Sequence, residues 1–142
     1  MNKNKNLTIE KFFTLADANL KQNKLKEAQI LYNKILEVNP NHLNTLNNLG
    51  VIFQDLGDFQ KAKSYCEKAI EIDPNYIDVY NNLGFIFKDL GDFQKAKSCY
   101  EKAIEIDPLN KKCILSYGNL LLFLGDFLKG YEYIIKGEGV IK

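Results

Sequence analysis

The chain has 142 residues, 46% of them hydrophobic, with 19 basic against 18 acidic side chains. That is the size of one ordinary domain, with enough apolar content for a packed core. So balanced a surface carries no electrostatic footprint for nucleic acid or an anionic membrane. Every basic residue is a lysine, so no guanidinium fork is present to grip phosphate or carboxylate in bidentate fashion. The three cysteines, Cys66, Cys99 and Cys113, form no CxxC pair; they read as small apolar residues in a reducing compartment, without a disulfide framework or zinc site. Residues 1–6, MNKNKN, contain no apolar signal-peptide core, and the longest apolar run, Leu120 to Leu124, is far too short to span a bilayer. A cytoplasmic protein is expected.

After a polar tail at residues 1–8, the chain reads as one domain, 9–142, built on a period of 34. Leu43 to Tyr76 and Ile77 to Asn110 agree at 24 of 34 positions without a gap, the signature of a stacked array. Ile9 to His42 is a weaker first copy, where Ala28, Tyr32 and Pro40 fall in register with Ala62, Cys66 and Pro74. Residues 111–142 form a partial fourth, where Gly118 continues the series Gly50, Gly84. Each copy predicts two helices, such as Leu43 to Leu56, with Leu46, Leu49 and Phe53 on one face, and Phe59 to Ile72, with Ala62, Cys66 and Ala69 on one face. Gly57 supplies the left-handed residue between them, Asp58 the N-cap, and Asp73-Pro74 the stop. In the first copy Asn23 takes the place of that glycine. Gly50 and Ala62 are expected to face each other where the paired helices cross, with Phe53, Phe59 and Tyr65 filling the space around them.

The pattern Leu49, Gly50, Phe53, Ala62, Cys66, Ala69, Pro74 resembles the tetratricopeptide repeat, as does Leu83, Gly84, Phe87, Ala96, Tyr100, Ala103, Pro108. The resemblance implies an all-α fold: a right-handed superhelical solenoid whose concave groove, lined by the first helix of each pair, binds an extended peptide or partner protein. It places Asn44, Asn47, Asn48, Val51, Gln54 and Asp55 of one copy in that groove. Asp78, Asn81, Asn82, Phe85, Lys88 and Asp89 of the next lie beside them, and Lys112 and Asn119 of the last follow. Asn44/Asp78, Val51/Phe85 and Gln54/Lys88 are among the few positions where the central copies differ. They read either as a surface tuned to an asymmetric partner or as drift after duplication.

Asn47, Asn48, Asn81 and Asn82 are the same in both copies. An amide both donates and accepts, so a row of them suits a peptide backbone. Asn48 and Asn82 sit where the repeat arm of O-linked N-acetylglucosamine transferases carries an asparagine ladder; the alternative is that these amides stabilise the stack. The carboxylate clamp known from other members of the family is not matched. Its places hold Phe13, Asp17, Asn48, Asp78 and Asn82 in one register, and Asn47, Val51, Asn82, Lys112 and Ser116 in the next.

No catalytic constellation, metal site or cofactor loop is seen. His42 is the sole histidine, and the glycines are isolated at crossings and caps. Asp55 and Asp89, near helix C-termini, are expected to pair with a nearby lysine. Lysines and glutamates such as Lys63 and Glu67 read as a solvated outer face. The last copy is more apolar than the others, with Leu122, Phe123, Tyr131 and Ile135 where the central copies carry Gln or Lys, Asp, Lys and Glu. The end YEYIIKGEGVIK offers no separate polar capping helix. A following domain, a partner or a second copy is therefore expected to cover that surface. Two functions fit: a non-enzymatic binding scaffold, or the substrate-recognition or oligomerisation arm of a longer enzyme of glycosyltransferase, sulfotransferase or oxygenase type.

Overall fold

The computed structural model describes residues 3–139, and among them there is helix, turn and bend but no strand. Eight helices follow in order: α1 (Lys3–Lys21), α2 (Leu25–Val38), α3 (Leu43–Asp55), α4 (Phe59–Ile72), α5 (Ile77–Asp89), α6 (Phe93–Ile106), α7 (Lys111–Phe123) and α8 (Phe127–Gly137). They form four antiparallel pairs, α1/α2, α3/α4, α5/α6 and α7/α8, so the last copy is a complete pair. Helix α1 starts at Lys3 and takes in most of the segment read as a polar tail. The chain divides into two compact units, Met1–Asp73 and Pro74–Lys142, each holding two pairs.

The signals that set the helix ends act as the sequence implies. Gly57 and Gly91 adopt φ of +77° and +78°, and Asn23 takes the same left-handed turn at +58°. Asp58 Oδ1 then accepts from the Lys61 amide at 3.1 Å, and Asp92 Oδ1 from the Lys95 amide at 3.2 Å. Each bond satisfies one orphan donor of the new helix. At the far end Asp73 is extended, as a residue before proline must be, and α4 stops there. Two first helices also carry side-chain caps. His42 Nδ1 accepts from the Thr45 amide at 3.3 Å to start α3, and Asn110 Oδ1 accepts from the Cys113 amide at 3.1 Å to start α7.

Small residues let the helices of each pair approach, and large ones fill what remains. In the first unit Ala16, Ala28, Ala62 and Ala69 are buried with Tyr32, Ile35, Leu46, Leu49, Ile52 and Cys66. Phe53 stacks on Tyr65 with centroids 5.5 Å apart. A Cβ on Gly50 would lie 2.8 Å from the Cys66 sulfur, which confirms the close crossing. The second unit buries Leu83, Ile86, Ala96, Tyr100, Ala103, Tyr117, Leu120 and Leu121. In α8 the alanine positions are Gly130 and Gly137, and the extra room is taken by Leu122 and Leu115, each with a methyl 2.6 Å from where a Cβ would stand.

Candidate functional site

The site foreseen in the sequence lies on the first helices, and its residues divide by depth. On α3, Asn44 and Asp55 are exposed, while Asn47, Asn48, Val51 and Gln54 are half-buried. Between them Thr45, Leu46, Leu49, Ile52 and Phe53 are sealed in the core. The helix thus offers one polar stripe of amides with an aliphatic centre at Val51. Asn48 is already engaged: its Nδ2 donates to the Tyr32 hydroxyl at 2.9 Å, tying α3 to α2 of the preceding pair. Burial raises the pKa of that hydroxyl, so it remains neutral and able to accept. For Asn48 the structure thus shows a bond within the stack.

On α5 the equivalent residues sit deeper. Asp78, Phe85 and Asp89 are exposed and Lys88 is half-buried, but Asn82 is 8% exposed and Asn81 is fully buried. Neither polar atom of the Asn81 amide has a hydrogen-bond partner among the described residues, a defect that costs about 1–3 kcal/mol. The expectation that all six α5 positions face an open surface therefore fails at Asn81 and Asn82. Phe85 rests its ring edge-on against Tyr100 at 6.0 Å, so this apolar contact is held in place by the core beneath it. Lys88 lies over the ring of Phe123 at 4.9 Å, a cation–π contact that fixes its direction. On α7, Lys112 and Asn119 are exposed.

Asp55 and Asp89 have no ion pair within 4 Å among the described residues, against the expectation of lysine partners. The outer pair Lys63–Glu67 does form, at 3.6 Å, and at that exposure contributes little. Burial pushes the Cys113 thiol up to about 11 and holds the Tyr100 and Tyr117 hydroxyls well above the ordinary tyrosine range, so none of these is a nucleophile at neutral pH. Among the described residues no group of His, Cys, Asp or Glu could hold a metal ion, and no helix is long and apolar enough to cross a membrane. A cleft of about 560 Å³ in the second unit is bordered by Leu109, Lys111, Ile114, Lys129 and Tyr133, none of them a foreseen groove residue.

Of the apolar residues singled out in the last copy, Phe123 and Tyr131 are exposed, at 60% and 58%. Leu122 and Ile135 are half-buried, Leu122 because it fills the space above Gly130. Two more exposed residues, Phe127 and Leu128, join them. Phe127 escaped notice because Phe59 and Phe93 hold its place in the central copies, where such a ring reads as filler.

Among curated proteins no sequence matches this chain. Of solved structures, the crystal structure of MamA superposes with a TM-score of 0.80 at 22% identity, covering 92% of this chain and 77% of that one. The first TPR of Spaghetti (RPAP3), solved bound to the HSP90 peptide SRMEEVD, superposes at 0.77 and 23% identity over 84% of this chain and 94% of its own. The Arabidopsis OM64 TPR domain gives 0.75 and 23% over 80% and 93%. These likenesses establish the all-helical repeat fold. Profiles described as tetratricopeptide repeat match residues 12–42 and 41–108, and with the repeat's small-residue crossings, turns and caps all in register, the chain belongs to the tetratricopeptide repeat family.

Proposed function

We propose that this protein is a binding scaffold that holds an extended peptide or a partner's loop against the exposed face of α5, the face of α3 in the other unit being a separate site of the same kind. One observation carries the reading. The two central copies agree at 24 of 34 positions, yet three of their differences, Asn44/Asp78, Val51/Phe85 and Gln54/Lys88, fall on side chains that are exposed or half-exposed. That the first TPR of RPAP3, a structural neighbour, was solved with a peptide bound supports the same use of the fold here.

The ligand differs in kind from a C-terminal carboxylate. In the clamp register Asp17 and Asp78 are acidic, Asn48 donates to Tyr32 at 2.9 Å, and Phe13 packs on Tyr32 at 5.8 Å. What the α5 face offers instead is an apolar contact at Phe85 and opposite charges at Asp78 and Lys88. A peptide with an apolar anchor flanked by one basic and one acidic side chain fits these groups. The recognition arm of a glycosyltransferase, with an asparagine ladder, is less well supported, since Asn48 bonds within the stack and Asn82 is buried. A cytoplasmic setting accords with Cys66, Cys99 and Cys113 all standing as thiols.

The test is a random-peptide display selection against the full chain, repeated on Asp78→Lys and on Lys88→Glu. The proposal expects each charge reversal to invert the charge preferred beside the apolar anchor. Identical selected motifs for all three proteins would sink it.

A further inference from the structure

The second unit ends on an apolar face: Phe127 is 62% exposed, Leu128 85% and Tyr131 58%. The exposed parts of these three side chains amount to roughly 400 Å² of contiguous apolar surface, the size of patch that marks a contact. The preceding pair shows what covers such a face. On α6 the same helix positions are Phe93, Gln94 and Lys97; α7 reaches the first of them, while Gln94 stays exposed. The Phe123 ring meets Phe93 at 5.5 Å, Tyr117 meets Tyr100 at 6.4 Å, and the Tyr117 hydroxyl donates to Glu101 at 2.6 Å. Inside the chain, then, the cover of such a face is the first helix of the next pair. On α8 the places of Tyr100 and Glu101 are Ile134 and Ile135. That seat has no acceptor, so it suits an aliphatic side chain where α7 brings a tyrosine.

Helix α1 of the first unit presents the matching half. The position that Tyr117 holds on α7 is Leu15 on α1. Its counterparts Leu49, Leu83 and Tyr117 are buried, but Leu15 is 53% exposed. The position of Phe123 is Lys21 on α1, a cation for the open face of Phe127, as Lys88 already lies over Phe123 at 4.9 Å. We propose that α1 of a second copy of this chain docks on α8 of the first, head to tail, in the register in which α7 docks on α6. The hydrogen-bonded pair Tyr117–Glu101 inside the chain becomes the apolar pair Leu15–Ile135 between copies. The area is at the low end for a specific contact, the size class of weak and transient association. The two faces are different, so the contact can propagate beyond a dimer. It leaves the α3 and α5 faces untouched; peptide binding and association can therefore fail independently.

Sedimentation equilibrium of the full chain tests this with one variant at each face. Leu15→Glu blocks the α1 side. Tyr131→Lys with Ile135→Glu restores to α8 the residues that α6 carries at Lys97 and Glu101. Phe127→Gln and Lys21→Glu serve as milder second variants, with far-UV circular dichroism confirming helix content in all. The expected result is that wild-type mass rises with concentration and that each variant alone is a monomer. An equimolar mixture of the two variants, each keeping one intact face, then forms a dimer and nothing larger. A wild-type chain monomeric throughout, a mixture that stays monomeric, or a Leu15→Glu variant that associates like wild type through α8 against α8 would each overturn the proposal.

Discussion

The hairpins α3/α4 and α5/α6 have nearly the same sequence and do not have the same interior. Of the ten positions at which the two 34-residue copies differ, two form a transposition: Tyr65-Cys66 in the first is Cys99-Tyr100 in the second. In α4 the tyrosine stacks on Phe53 at 5.5 Å and the small Cys66 lies under Gly50. In α6 the tyrosine lies under Gly84 and joins an aromatic chain with Phe85, Tyr117 and, beyond it, Tyr133. Exchanging two neighbouring letters on a helix turns a side chain by about 100°, enough to move its ring from the rim to the helix crossing. The lesson is that a repeat fixes positions, while the filler at each position decides how much strain, polarity and exposure its neighbours carry.

The largest expected contrast is at the crossing glycines. A Cβ on Gly84 would stand 2.5 Å from the Tyr100 ring, which is buried and hemmed in, while on Gly50 it would meet the single Cys66 sulfur at 2.8 Å. Gly84→Ala is expected to cost about 3 kcal/mol in urea unfolding, the upper part of the range for overpacking. Gly50→Ala should cost about 1 kcal/mol or less, since the helix propensity gained by alanine offsets much of a small shift. Equal losses would mean that the transposition does not govern the crossing.

Next comes the bond that ties α3 to α2. Asn48→Ala leaves the buried Tyr32 hydroxyl without its donor and should cost about 2 kcal/mol. Adding Tyr32→Phe should recover about 1 kcal/mol of that loss in a double-mutant cycle, because both polar groups are then gone. Simple additivity would show the bond to be absent in solution.

The opposite sign is expected at Asn81 on α5, whose buried amide has no partner among the described residues. Asn81→Leu, of similar shape, should stabilise the chain by about 1 kcal/mol. Destabilisation of that size would mean that the amide is satisfied after all.

The smallest effect separates the starts of the two helices. His42 caps α3 through a neutral Nδ1, whereas Tyr76 at the start of α5 makes no side-chain cap. Burial lowers the His42 pKa below its ordinary 6.5. As pH falls below that value the unfolded chain takes up the proton first, so this contribution is complete above 6.5 and is lost on descent to the folded pKa. The midpoint of unfolding should therefore drop between neutral pH and pH 5.5 by more in wild type than in His42→Asn, which keeps a capping side chain without a titration.

How much of this was legible in the letters follows from which side of a helix each letter serves. The turn at Gly57, the caps at Asp58 and Asp92, the stop at Asp73-Pro74 and the Gly50–Ala62 crossing depend on local geometry, which the sequence states directly. The depth of Asn81, the bond from Asn48 to Tyr32 and the exposure of Phe127 depend on what lies on the neighbouring helix. There the period misled, because it predicts Asn81 from Asn47 and Phe127 from Phe93. Asn48 lies sixteen residues from Tyr32, a spacing that links two helix pairs and shows in no single copy.

The central claim, that a partner binds on the exposed face of α5, is tested most directly by amide chemical-shift mapping. A peptide selected by display would be titrated into ¹⁵N-labelled full chain. The account predicts that the largest shifts fall at Asp78, Phe85 and Lys88, and that Phe85→Ala with Lys88→Glu weakens binding at least about tenfold, equal to 1.4 kcal/mol, while far-UV circular dichroism at the titration temperature shows helix content unchanged. Shifts concentrated on α4 and α6, around Lys63 and Lys97, with affinity unchanged in the double variant, would contradict it.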